Sequence, residues 1–178
     1  MDSSPMTDTA SRVPGQELTE VDRIAAELRR MYEGPAWHGP GVLEAIEGLN
    51  AEQAGTRAAA NAHSIYEIAH HIAAWIGEVR SRLLGQPSGD PADGDWPPGD
   101  RQVDEGEWLR VRDRLSTRHR ELQATLASFE ASRLGQRVDP TREGPSGLVT
   151  FYALLHGLVQ HNAYHAGQIV LLRRAMGV

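Results

Sequence analysis

The chain has 178 residues, 40% of them hydrophobic, which suits one ordinary domain with length left for tails and loops. A formal charge of -6 and a pI near 5.7 give no general attraction to nucleic acid or to anionic membranes. The absence of cysteine excludes disulfides, thiolate metal sites and an internal thiol nucleophile, so any thiol chemistry needs a thiol from outside.

Residues 1–17 are polar and lack the apolar core of a signal peptide; they read as a disordered tail ahead of a single domain over 18–178. No segment reaches the ~18 uninterrupted apolar residues of a membrane span, and the expected setting is soluble and cytoplasmic. The first helix is predicted over 18–33, with Val21, Ile24, Ala25 and Leu28 at helical spacing and a stop at Gly34-Pro35. A short helical piece fits 39–49, and 50–63 reads as a loop or loosely helical connector.

The second long helix is expected over 64–85. Ser64 followed by Glu67 is a capping-box signature, Gly85 a natural stop, and Ile65, Ile68, Ile72, Trp75, Ile76, Val79 and Leu83 form one apolar stripe. Residues 86–100 are rich in proline, glycine and aspartate and form a long loop, of a length often used for lids or partner surfaces. A third long helix fits 104–132, with Trp108, Val111, Leu115, Leu122, Leu126 and Phe129 on its apolar side. A second turn-rich gap, 135–147, precedes the last helix. No strand-like alternation is present. The elements predict an all-α four-helix bundle with long loops between the second and third and the third and fourth helices.

The last helix carries the chemistry. Phe151, Leu154, Leu158, His161, His165, Gln168 and Leu172 follow at alternating steps of three and four, the seam spacing of a bundle helix. His161 and His165 therefore stand one turn apart on the inward line, where both imidazoles can reach a common point. A lone core histidine is ordinarily satisfied by a hydrogen bond. Two adjacent buried imidazoles need several polar partners, and a shared cation supplies them at once.

On the second long helix, at ~100° per residue, His71 lies roughly 80° from the centre of the apolar stripe and can turn inward. His70 falls nearly opposite, and His70 and His63 are expected in solvent. His119, between Arg118 and Arg120, is expected to be solvated, and His156 lies off the seam with a hydrogen-bonding role. Three neutral imidazoles, His71, His161 and His165, would leave a coordination position free, as in a catalytic metal site. Glu67 is a possible acceptor for the His71 ring, although the capping box is its better-supported role. Trp37, Trp75, Trp96 and Trp108 are candidates to line a pocket. Trp96, in the loop, is expected to cap the pocket mouth or meet a dimer partner.

The residues 37-WHGP-40, 64-SIYEIAHHIAAW-75 and 155-LHGLVQHNAYHAGQIVLLRR-174, in that order, resemble the DinB/YfiT-like family of bacterial proteins. The resemblance implies a four-helix bundle, commonly a homodimer, with a metal held by three histidines. Matched motif to motif, those ligands fall on His71, His161 and His165. The family's chemistry is divided, and the expectations divide with it.

One is a transferase that uses a low-molecular-weight thiol activated by Zn²⁺ or Ni²⁺ on a small-molecule substrate. A second is a metal-dependent hydrolase with an activated water, for which Glu67 or Glu78 is a candidate base. The pair reads His161-Asn162-Ala163-Tyr164-His165, so the glutamate of an HExxH protease is missing. A third is a non-enzymatic metal-binding stress-response protein. Nucleic acid is not an expected partner, because the arginines from Arg110 to Arg120 are interleaved with Asp113 and Glu121.

Overall fold

Helix starts in this chain are set by side chains that satisfy free backbone N–H groups. The computed structural model describes residues 17–59, 61–98, 102–141 and 144–178. The expected tail, apart from residue 17, lies outside them. Thr19 caps α1 (Glu20–Glu33), and its hydroxyl accepts from the Asp22 N–H while the Asp22 carboxylate accepts from the Thr19 N–H at 2.9 Å. Short helices α2 (Val42–Ile46) and α3 (Ala51–Gly55) follow.

Ser64 and Glu67 form the expected capping box at the head of α4 (Ile65–Leu83). Asp104 caps α5 (Glu105–Ala127), and Thr150 caps α6 (Phe151–Met176). The chain leaves α1 at Gly34, with φ +82, a conformation natural to glycine. A Cβ there would also strike the Glu44 carboxylate.

The four long helices form a ring in which α1 packs on α5 and α6, and α4 packs on the same two from the other side. The short helices close the flanks, α2 against α1 and α6 and α3 against α4 and α5. The core between them includes Ile24, Leu28, Ile65, Ile72, Leu115, Leu122, Leu155 and Ile169, all fully buried. Trp108 joins them and donates its indole N–H to the Leu49 carbonyl at 2.8 Å, so its one polar atom is satisfied inside the core. Among the described residues there is no strand, and no helix is long and apolar enough to cross a membrane.

Several expectations are corrected. The third long helix stops at Ala127 rather than 132; Phe129 has already turned away to meet Phe151 edge-on at 5.3 Å. The buried line of α6 is Phe151, Leu155, Leu158, Asn162, His165 and Ile169, a small rotation from the predicted seam, so Leu154, His161, Gln168 and Leu172 are only partly buried. Helix α4 is flanked by α3, α5 and α6, so its buried arc is much wider than its aliphatic stripe.

His70, expected in solvent, is consequently buried, with Nδ1 3.3 Å from the Arg114 guanidinium. Burial, and then the charge of Arg114, hold its pKa below the ordinary value. His119 is buried as well, stacked on Tyr32 at 4.1 Å where α5 meets α1. Trp37, a candidate to line a pocket, is fully exposed.

Candidate metal centre

Two helices and one loop meet at the histidines. His71 comes from the second turn of α4 and His161 and His165 from the middle of α6, and one ring nitrogen from each lies within 4.8 Å of the others. His71 and His165 are buried and His161 is partly so. The three residues singled out in the sequence are therefore brought together.

Their orientation is set by four acceptor oxygens from three residues. His71 Nδ1 faces Asp95, with the carboxylate Oδ1 at 2.9 Å and the backbone carbonyl at 3.1 Å. His165 Nδ1 faces Gln168 Oε1 at 2.7 Å, and His161 Nδ1 faces Asn162 Oδ1 at 3.3 Å. A carboxylate, a carbonyl and an amide oxygen can only accept, so each Nδ1 carries the proton and donates. Each Nε2 is left with its lone pair. The Nε2 atoms of His71 and His161 stand 3.0 Å apart, an approach that two lone pairs do not favour unless a cation lies between them.

Charge works in the same direction. Burial lowers the pKa of His71 and His161, and it lowers that of His165 to about 4, with the neighbouring His161 adding to the effect. The rings are accordingly neutral at pH 7, the form in which imidazole binds a metal. Three neutral nitrogen donors, each fixed through its second nitrogen, match the donor chemistry of a divalent transition metal. The group could hold such an ion.

The loop between α4 and α5 completes the site. Asp95 also accepts the Trp75 indole N–H at 2.7 Å, which ties the loop to α4 at the His71 turn. Trp96 stacks on His71 at 3.9 Å, and His63 stacks on Trp96 at 3.6 Å, with planes within 7° and 5° of parallel. Trp96 also lines a cavity together with His165 and Gln168. His63 is exposed, as expected, and its stacking on Trp96 also places it in the wall of that cavity.

Asp95 escaped the sequence reading. The loop holds the aspartates Asp90, Asp93, Asp95 and Asp100, and nothing in their spacing marks the second-last. Glu67, considered as an acceptor for His71, instead accepts from the Ser64 N–H at 2.7 Å and pairs with Arg57. Glu78 is engaged away from the site, accepting from Arg82 at 2.8 Å and from the Gly89 N–H at 3.1 Å. His156, expected to hydrogen-bond, instead sits 4.3 Å from the Tyr152 ring, and its Nε2 has no hydrogen-bond partner among the described residues.

A family model described as the DinB superfamily matches residues 36–169, and the chain belongs to that superfamily. Among solved structures it is similar to the crystal structure of the conserved protein of locus from Enterococcus faecalis. The TM-score is 0.68 at 16% sequence identity, over 91% of this chain and 100% of that one. That likeness speaks for the fold alone. No curated protein matches the sequence.

Proposed function

We propose that His71, His161 and His165 hold a divalent transition metal, Zn²⁺ or Ni²⁺, and that the protein is a transferase acting with an exogenous low-molecular-weight thiol. The observation that carries this reading is the convergence of three neutral imidazoles, each with Nδ1 facing an oxygen acceptor and with one ring nitrogen within 4.8 Å of the others. A bound divalent ion would supply positive charge that lowers the pKa of a thiol at an open coordination position.

The chain's own part is to orient the rings through Asp95, Asn162 and Gln168 and to offer a cavity beside His165 for the second reactant. In the transfer, the thiol proton leaves to solvent and sulfur attacks the electrophilic carbon. A C–S bond forms as the bond to the leaving group breaks, and that group departs with the electron pair. The absence of cysteine agrees with a nucleophile that arrives as a cosubstrate. The hydrolase alternative is less well supported, since the two glutamates considered as bases are committed elsewhere.

The first test is metal content, by plasma mass spectrometry, of untagged protein purified without chelators, beside His161→Ala. Near-stoichiometric zinc or nickel, lost in the variant, supports the centre. No metal, and none taken up on addition, reduces the three histidines to core residues. Thiol-dependent consumption of monobromobimane, abolished in His165→Ala, then tests the transfer; no dependence on any common cofactor thiol counts against it.

A further inference from the structure

The cavity beside the three histidines has a volume of about 430 Å³, within the range that takes a small organic molecule. His165 belongs to its wall, so a molecule lodged there meets the histidine cluster at one end. Ile68 from α4 and Leu171 and Leu172 from α6 give it an apolar side. Trp96 contributes from the loop with both faces already taken, by His63 at 3.6 Å and His71 at 3.9 Å, so what it offers a ligand is its rim.

The polar part of the wall includes the carboxamides of Asn61 and Gln168, the Tyr164 hydroxyl and the imidazoles of His63 and His165. Gln168 Oε1 already accepts from His165 Nδ1 at 2.7 Å, which leaves its NH₂ group to donate. Among the described residues that line the cavity there is no aspartate, glutamate or arginine, and the chain's 18 basic residues are all arginines, so no lysine reaches in either. An ion placed against this wall would shed water and meet no carboxylate, guanidinium or ammonium partner among the described lining residues. An uncharged apolar body would bury its surface, and one acceptor atom on it could pair with the Gln168 amide.

We infer that this cavity binds an uncharged, largely apolar organic group carrying a hydrogen-bond acceptor, and that it discriminates against bodies bearing a carboxylate, phosphate or ammonium. The inference names a substrate class for the proposed centre, and rests on that reading for the end of the molecule that reacts. The cavity's selectivity follows from its wall alone.

The test uses the full-length, ¹⁵N-labelled protein in metal-free and zinc-supplemented forms, titrated with 2-naphthalenemethanol, 2-naphthoate and 2-naphthylmethylammonium. The resonances followed are the Trp96 indole N–H and the Gln168 carboxamide. In the metal-free protein the neutral alcohol is expected to shift both, with a Kd at least about tenfold lower than either ion. Leu171 is 66% exposed, so Leu171→Glu leaves the core intact. That variant should weaken the alcohol and strengthen the ammonium probe. An ion that binds as tightly as the alcohol, or no shift with any probe, overturns the inference. Failure of zinc uptake with alcohol binding preserved would sink only the metal centre; zinc uptake without probe binding would sink only the cavity's assignment.

Discussion

Removing the Asp95 side chain should weaken metal binding without unfolding the protein. Asp95 lies on a loop and is partly exposed, so Asp95→Ala opens no core cavity. It removes the carboxylate 2.9 Å from His71 Nδ1 but leaves the backbone carbonyl of the same residue at 3.1 Å. The imidazole thus retains an acceptor and its tautomer, and loses the stronger, charged one. Loss of a group that orients a ligand costs roughly 10–100-fold in metal affinity. With one of two acceptors kept, the lower end applies, about tenfold or ~1.4 kcal/mol.

Asp95→Asn, whose amide oxygen can still accept, should lose less. Asp93→Ala is the control: it removes a charge from the same loop, but one that pairs with Arg118 at 2.8 Å rather than with a site histidine. Zinc affinity would be measured by competition with a chromophoric chelator at fixed pH. Equal affinities for wild type and Asp95→Ala, or an equal fall in Asp93→Ala, would refute the role assigned to the His71–Asp95 contact.

Acid should destabilise the fold partly through His119, whose pKa is lowered from 6.5 to about 4 by burial and then by Arg29. The unfolded chain binds the extra proton between those values, so stability falls as pH drops from 6.5 toward 4 and this contribution levels off below, at a slope of at most ~1.4 kcal/mol per pH unit. Urea midpoints across that window should fall less steeply in His119→Phe than in wild type, and identical slopes would contradict the assignment. Leu155→Ala, at a fully buried position facing the centre of the bundle, should cost about 3 kcal/mol in urea unfolding; a loss below about 1 kcal/mol would mean the site collapses freely. Trp37→Ser should change stability by no more than about 0.5 kcal/mol, because the indole is fully exposed; a larger loss in thermal unfolding would show it packed.

The local parts of this protein were legible in the sequence because their causes lie within a turn or two of chain. Ser64 and Glu67 cap α4 through contacts three residues apart, and the spacing of His161 and His165 places two imidazoles on one helix face whatever packs against it. Apolar periodicity likewise fixed the four long helices and an all-α fold. His71 was reachable because an imidazole on the shoulder of a stripe can turn either way, and the family motif favours inward.

The rest depended on which elements meet. A helical wheel gives the direction of a face but not the width of its buried arc. Helix α4 is enclosed by α3, α5 and α6, and this is what buries His70. His119 is buried for the same kind of reason, where Tyr32 of α1 covers a stretch of α5 that reads as a charged surface. Asp95 and Trp96 lie 24 and 25 positions beyond His71 in an irregular loop, where no periodicity relates them to the helix. Sequence determined which imidazoles could share a ligand point. Asn162 and Gln168 turn their rings from within α6, but only the tertiary structure decided that Asp95 turns His71 and which walls stand beside the cluster, because these come from chain segments that meet only once the bundle has closed.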